Sequence, residues 1–193
     1  MGEETLEFDV DGSRLSVAVH GQGRNILYLS AGLWFADDSA FAQGLSAYGR
    51  VIIPTAPGFG PGAVNRRWNN VDDIAYLYFD LIDRMKLSNV ALVGASFGGW
   101  IAAQMAIKSC AAFSSITLID PLGVKVGDRF TRDIADFYGL PDVELRARAY
   151  ADPSIFETDI KKISDDELGR RVRSREALAR YAWSPFMHDP KLL

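Results

Sequence analysis

Cysteine and histidine are both scarce in this sequence of 193 residues, which holds one cysteine and two histidines. A disulfide needs two cysteines, so Cys110 cannot form one within the chain. Zinc sites need several Cys or His ligands at characteristic spacings, and the sequence has no such cluster. No metal centre is therefore expected, and a histidine base would have to be His20, His188 or a residue outside these 193.

Long apolar runs and strongly basic segments are also missing. No stretch approaches the roughly 20 apolar residues that a membrane-spanning helix needs, and the N-terminal MGEETLEFDV lacks the apolar core of a signal peptide. The chain has 21 Lys and Arg against 25 Asp and Glu, a net charge of -4, so neither nucleic acid nor a membrane is an expected partner. A cytoplasmic protein is predicted.

Alternating apolar and polar residues predict two N-terminal strands, residues 5–10 and 14–20, on either side of the turn pair Asp11-Gly12. Strands then alternate with helices: NILYLS, a helix from Asp37 to about Tyr48, RVIIP, a helix capped by Asn70, NVALVG, a helix from Phe97 to about Ser109, and SITLID. This order predicts an α/β protein with a mainly parallel, doubly wound sheet and an N-terminal antiparallel hairpin.

The composition changes after Pro121. Residues 129–183 are rich in charge and in helix formers, and Pro141 and Pro153 divide them into short helical pieces, among them RDIADFYGL. No apolar strand is predicted there. We therefore predict a core of six strands over residues 1–122 and a helical cap or lid over residues 123–193.

The segment GASFGGW, residues 94–100, lies between the apolar strand NVALV and the next helix. G-x-S-x-G in this place is typical of a nucleophile elbow, a tight turn that holds a serine in a strained conformation beside small residues. Ser96 is the predicted nucleophile, and the N–H of Phe97 at the helix start is a predicted oxyanion donor. The alternative is an ordinary turn between a strand and a helix.

The loop SAGLWFADDS after the third strand is the expected source of a second oxyanion donor. Gly32 allows the backbone to turn, and the N–H of Leu33 or that of Trp34 is the predicted donor. The apolar side chains of the loop favour a pocket wall or a cluster packed under the lid, and both can hold at once. The predicted substrate pocket comprises Gly32, Trp34, Phe59 and Trp100.

A third glycine-rich stretch, APGFGPGA, formally fits the dinucleotide fingerprint through Gly58, Gly60 and Ala63. That fingerprint requires a helix to begin at the glycines, whereas Pro57 and Pro61 favour a loop. No nicotinamide, flavin or other cofactor is therefore expected.

These parts, in this order, resemble the α/β-hydrolase superfamily in its lidded, single-domain serine hydrolase branch. The resemblance covers nearly the whole chain: PTAPGFGPG after strand four, LVGASFGGWIAAQMA around strand five, LIDPLG after strand six, and a helical segment ending ARYAWSPFMHDPKL. It implies Ser96 as nucleophile, oxyanion donors at Phe97 and Leu33, and a lid over an apolar channel. Family members cleave esters, amides, epoxides, carbon–halogen or carbon–carbon bonds.

The sequence departs from the family pattern in its loops and in its length. Ala31 and Thr55 stand where the family commonly has His and Asp, which affects loop support. The family also continues after the lid with two strand–helix units, about 60 residues, that in many members carry the catalytic acid and histidine. A truncated α/β-hydrolase fold is therefore expected. A half completed by another chain and a naturally short, noncatalytic protein are the alternatives.

Neither histidine is the expected base. His20 precedes strand three and belongs at the opposite edge of the sheet from Ser96, and His188 lies in a family lid segment near the chain end. Chain ends are usually poorly ordered. His188 is therefore only a substitute candidate for the catalytic base. Asp120, which ends strand six, is either the catalytic acid that some family members place there or a turn residue before Pro121.

The resulting prediction is a serine hydrolase of a small apolar ester or a related small-molecule substrate. The alternative is a noncatalytic ligand-binding or interaction protein that retains the hydrolase scaffold. A truncated chain would leave strand six as an exposed sheet edge, so self-association through that edge is also expected.

Overall fold

A six-stranded sheet forms the centre of the protein in the computed structural model, which describes residues 4–10, 12–30, 39–59, 67–128, 130–156, 162–183 and 186–192. Its strands are β1 (Glu4–Val10), β2 (Ser13–His20), β3 (Asn25–Leu29), β4 (Arg50–Pro54), β5 (Val90–Ala95) and β6 (Phe113–Ile119). They lie in the order β1-β2-β4-β3-β5-β6. The pairs β1–β2 and β2–β4 are antiparallel and the other three are parallel, so the predicted hairpin and mainly parallel sheet are confirmed.

Five α-helices within the described residues surround or follow the sheet. They are α1 (Ser39–Ser46), α2 (Val71–Arg84), α3 (Phe97–Lys108), α4 (Asp142–Ala149) and α5 (Asp165–Ala182), and a short 3-10 helix (Pro153–Phe156) lies between the last two. No helix within the described ranges is long and apolar enough to cross a membrane.

At the central strand β3 both faces of the sheet are covered, as the near-continuous apolar strands predict, whereas β6 is mostly exposed. Along β3, alternate side chains point to opposite faces. Leu27 and Leu29 belong to the large core cluster that contains the buried faces of α2 and α3. Ile26 and Tyr28 belong to a smaller cluster with Ala42 of α1. The parallel part of the sheet is therefore doubly wound.

Helix α2 begins where the sequence predicts. The Asn70 side chain accepts a hydrogen bond from the Asp73 N–H at 2.9 Å, and the Asp73 carboxylate accepts one from the Asn70 N–H at 3.2 Å. This reciprocal capping box satisfies two backbone donors that a helix start otherwise leaves unpaired. Asp72 and Asp73 also place negative charge at the positive end of the helix dipole.

The segment RDIADFYGL is not a helix, so that prediction is wrong. Residues 131–140 are irregular with a turn at 137–139, where the Asp136 carboxylate accepts hydrogen bonds from the N–H groups of Tyr138 and Gly139 at 3.0 and 2.8 Å. An aspartate side chain that binds nearby N–H groups competes with the helical pattern, which explains the difference. Helix α4 then begins directly after Pro141.

The end of the chain is held more firmly than expected. His188 forms a parallel bridge with Gly123, where the Gly123 N–H donates to Met187 O at 3.0 Å and the Asp189 N–H donates to Gly123 O at 2.8 Å. The Gln104 amide donates a further hydrogen bond to the Asp189 carboxylate. Residues 186–192, here named the C-terminal segment, are therefore fixed against α3 and the turn after β6.

Candidate active site

Ser96 occupies a strained turn between β5 and α3. Its φ of 49° and ψ of -114° lie in a region that non-glycine residues rarely adopt and that costs on the order of 1–3 kcal/mol. Backbone hydrogen bonds hold it there. The Ser96 N–H donates to Ile119 O at 2.9 Å, and Ser96 O accepts from the N–H groups of Leu122 and Trp100 at 3.0 and 3.2 Å.

The glycines around the serine are required by close backbone contacts. A Cβ atom at Gly94 would lie 2.6 Å from Gly98 O, and one at Gly98 would lie 2.1 Å from Leu29 O. A Cβ atom at Gly99 would lie 2.8 Å from Pro121 Cβ. Any side chain at these positions would push α3 away from β3, β5 or the turn after β6. The small residues of GASFGGW therefore fix the turn in place.

An aromatic cluster surrounds the start of α3. The Phe97 ring is fully buried and stacks against Phe59 at 5.3 Å and Tyr181 at 6.2 Å, while Trp100 meets it edge-on at 6.5 Å. Two predicted pocket residues, Phe59 and Trp100, are thus brought together beside the elbow. Trp100 is only 5% exposed and packs against Gly123, so it presents little surface to a ligand in this conformation.

Tyr181 is a site neighbour that the sequence did not reveal. Its hydroxyl donates to Pro57 O at 3.2 Å, which ties the end of α5 to the loop after β4. Burial raises the pKa of Tyr181 to about 12. The aromatic residues of ARYAW were the only indication of this contact, because nothing in the sequence specifies where α5 docks.

Asp120 follows β6 at the same edge of the sheet as the serine, because Ile119 O accepts the Ser96 N–H. It is exposed, has a φ of 40°, and forms no hydrogen bond with any described residue. A positive φ is a turn conformation that aspartate tolerates. The position is equally available to a catalytic acid, so both interpretations of Asp120 remain predictions.

The two histidines lie in different surroundings. His20 pairs with Val51 near the start of β4, so it lies at the amino end of the parallel strands, opposite the carboxyl end where Ser96 emerges. His188 has its Nδ1 atom 3.0 Å from Phe186 O. Among the described residues, no side chain forms a hydrogen bond with Ser96 Oγ. His188 as a substitute base stays a prediction.

The loop after β3 cannot be compared with its predicted role. Gly32, Leu33 and Trp34 lie outside the described residues. The second oxyanion donor and the pocket wall that this loop would supply therefore remain predictions.

Comparison with solved structures shows the same architecture in hydrolases of several kinds. The epoxide hydrolase CorEH matches with a TM-score of 0.63 at 18% identity, over 90% of this chain and 68% of that one. A membrane phospholipase A, described as a bacterial virulence factor, matches with a TM-score of 0.59 at 26% identity, over 66% and 43%. The haloalkane dehalogenase DatA of Agrobacterium tumefaciens C58 matches with a TM-score of 0.55 at 18% identity, over 62% and 42%.

This chain therefore aligns with less than half the length of the phospholipase and dehalogenase structures. No curated protein sequence matches it significantly. The sequence model of the alpha/beta hydrolase family matches residues 17–192, nearly the whole chain. Together with the sheet order and the turn at Ser96, this match shows that the chain belongs to the alpha/beta hydrolase family.

Proposed function

We propose that this chain carries the nucleophile of a serine hydrolase that acts on a small apolar ester or a related acyl compound. The observation that carries the proposal is the backbone of Ser96, which is strained at φ 49° between a buried strand and a helix. Such strain persists only where the surrounding structure enforces it, and it is concentrated at functional sites.

The proposed reaction has two steps. Ser96 Oγ attacks the acyl carbon while a base takes its proton, and the carbonyl oxygen becomes an oxyanion bound by the N–H groups of Phe97 and Leu33. The alcohol leaves with a proton from the base, which forms an acyl-enzyme. Water then adds to the acyl carbon, and the carboxylic acid is released as Ser96 regains its proton.

The surroundings of the elbow support an apolar substrate. Phe59, Phe97 and Tyr181 form a stacked aromatic cluster directly beside Ser96, and Phe59 remains half-buried. A hydroxyl nucleophile at the start of a helix suits acyl transfer, because the N–H groups there can bind the oxyanion of a tetrahedral intermediate. An ester with an apolar acyl group is therefore the proposed substrate class.

The proposed proton acceptor is a histidine oriented by an acid, for which Asp120 is the candidate. Asp120 lies one strand away from Ser96 at the carboxyl edge of the sheet, and its carboxylate forms no hydrogen bond with the described residues. His20 is at the opposite edge. His188 is the candidate base within this chain, and a histidine outside it is the alternative.

Hydrolysis of p-nitrophenyl butyrate tests the proposal. We expect wild-type protein to release nitrophenolate, the Ser96→Ala variant to fall to the rate of buffer alone, and Ser109→Ala to keep the wild-type rate. Ser109 is the matched control because it is an exposed serine that follows α3 at its other end. Equal rates for wild type and Ser96→Ala would refute the proposed nucleophile.

A noncatalytic ligand-binding protein is the second candidate function. The observation that favours it is that no described side chain forms a hydrogen bond with Ser96 Oγ, so no base is in place within this part of the chain. Binding of the nonhydrolysable ketone analogue of the butyrate ester, without turnover of the ester itself, would support this candidate. Turnover that depends on Ser96 would exclude it.

A further inference from the structure

A cavity of about 430 Å³ lies between the turns after β6 and the end of α5. Its described lining includes Lys125, Arg132, Asp133, Trp183, Phe186 and His188. Ser96 is not among the described residues that line it, whereas His188, the candidate base, is. Its volume falls in the range of sites that bind small molecules.

One wall of the cavity is aromatic. The Trp183 ring meets Phe186 edge-on at 5.5 Å and an interplanar angle of 87°, and it meets Tyr138 at 5.5 Å and 68°. These contacts fix the indole, yet Trp183 remains 56% exposed. A large aromatic surface that is held rigidly and left in contact with solvent is suited to pack against a planar apolar ligand.

The acidic groups of the cavity are already bound by the protein. The Asp133 carboxylate accepts hydrogen bonds from the Gly127 N–H at 2.7 Å and from Lys125 Nζ at 3.5 Å. The Gly127 N–H, with the charge of Lys125, lowers the pKa of Asp133 and keeps it ionised. Lys125 Nζ also donates to Thr131 O. Lys125 and Asp133 therefore neutralise each other within the wall.

Arg132 and His188 are the polar groups that the described structure leaves available. Arg132 forms no hydrogen bond and no ion pair with the described residues, although its charge acts on Asp136 at longer range. The Asp136 carboxylate is bound by two backbone N–H groups. Hydrogen bonding of His188 Nδ1 to Phe186 O leaves Nε2 as the ring atom that can bind a ligand.

We propose that this cavity binds a small monocarboxylate with a planar apolar body. The ligand's carboxylate pairs with the Arg132 guanidinium, whose planar pair of N–H donors matches two carboxylate oxygens. The body of the ligand packs against Trp183 and Phe186. His188 Nε2 is the second polar group that binds the ligand. Inorganic anions should bind more weakly, because they would contact the Arg132 guanidinium but gain nothing from the aromatic wall.

Fluorine NMR of para-trifluoromethylbenzoate, titrated with the protein, tests the site. We expect saturable binding that Arg132→Gln weakens about tenfold or more, the loss of one charged hydrogen-bonding group. Arg173→Gln, an exposed arginine on α5 that does not line the cavity, is the matched control and should bind like wild type. Thermal unfolding followed by circular dichroism verifies that both variants fold.

Two further measurements distinguish the proposed carboxylate site from an apolar surface and from a simple anion site. The neutral analogue para-trifluoromethylbenzyl alcohol should bind about tenfold more weakly than the acid, and inorganic phosphate at the same concentration should not displace the acid. Binding that is unchanged by Arg132→Gln, equal for acid and alcohol, reversed by phosphate or absent would each overturn the proposal. Ser96→Ala should bind the acid like wild type, which keeps this test independent of the proposed hydrolase activity.

Discussion

At Ser96, the strained backbone and the glycines beside it depend on each other. The serine keeps its positive φ because α3 starts close to the end of β3, and α3 can approach only because Gly98 has no side chain. The same closeness fixes the start of α3, which carries the Phe97 N–H proposed to bind the oxyanion. Strain, packing and the proposed oxyanion site therefore have one structural cause.

Substitution of Gly98 by alanine should destabilise the whole fold. The new Cβ atom would lie 2.1 Å from Leu29 O and 2.5 Å from Ser30 O, so backbone must move. We expect the free energy of unfolding in urea to fall by about 2–4 kcal/mol. Gly44→Ala in α1, where the new Cβ atom would have no neighbour within 4 Å beyond the adjacent helix backbone, should leave stability unchanged or raise it by up to about 1 kcal/mol. Equal stability of the two variants would contradict this explanation.

The residues of the elbow could be predicted because their roles are local. The order of Gly94, Ser96 and Gly98 after an apolar strand specifies the turn without knowledge of distant contacts. Tyr181 could not be predicted, because its bond to Pro57 O joins residues far apart in sequence. At Asp136 the prediction from local sequence is wrong. The aspartate side chain accepts hydrogen bonds from two N–H groups, so a segment with helical composition forms a turn.

At the scale of elements, α3 connects the elbow to the C-terminal segment. Gln104 is 2% exposed and donates through its amide to Asp189, while its oxygen accepts from Lys108 Nζ at 3.2 Å. Lys108 Nζ also donates to the Asp72 carboxylate of α2 at 2.9 Å. This polar chain joins two helices and the C-terminal segment. A sequence pattern does not reveal it, because its members come from three separate parts of the chain.

Removal of the Asp189 carboxylate should release the C-terminal segment. In Asp189→Ala the buried Gln104 amide loses its acceptor, which costs about 1–3 kcal/mol. We expect the backbone N–H groups at positions 123 and 189 to exchange hydrogen for deuterium at least tenfold faster in this variant than in the wild-type protein. Mass spectrometry can measure this exchange. Lys191→Ala, an exposed neighbour, is the control and should leave exchange unchanged. Unaltered exchange in Asp189→Ala would show that the backbone bridge alone holds the segment.

At the scale of the whole molecule, β6 ends the sheet with one unpaired edge. Among the described strands only β5 pairs with it, and Leu118 and Ile119 are 40% and 37% exposed. The strand FSSITLI carries no charge that would repel a second strand. Two copies can therefore pair antiparallel through β6 without bringing like charges together.

We propose that a second copy of this chain covers the β6 edge. Light scattering at micromolar concentration should give the mass of a dimer or a larger assembly. Thr117→Lys, which places a charge on the exposed strand, should shift the protein towards the monomer. Val143→Lys is the control, because Val143 is also an exposed β-branched residue but lies on α4. This variant should keep the mass of the wild-type protein. A monomeric wild-type protein would contradict the proposal.

Stability should decline in alkaline solution because buried tyrosines must ionise on unfolding. Burial raises the pKa of Tyr181 to about 12 and raises the pKa of Tyr78 as well. Tyrosine in the unfolded chain has a pKa of about 10. The unfolded state therefore loses protons first, and the free energy of unfolding should fall as pH rises from about 10 to about 12.

Urea unfolding at a series of alkaline pH values tests this dependence. Below about pH 10 both the folded and the unfolded state keep the phenol protons. These tyrosines should therefore not make the free energy of unfolding depend on pH in that range. Tyr181→Phe should be less stable at neutral pH, since it loses the bond to Pro57 O, but should show a shallower alkaline decline. A decline of the same steepness in this variant would show that Tyr181 makes no contribution to it.

Covalent labelling of Ser96 tests the central claim most directly. A fluorophosphonate reacts with a serine only when a base and an oxyanion site activate its hydroxyl. We predict an adduct on the peptide that contains Ser96, formed at least about tenfold faster than any labelling of Ser96→Ala, with Ser109→Ala labelled like wild type. Labelling of the wild-type protein at the rate of Ser96→Ala would contradict the proposed function of this chain.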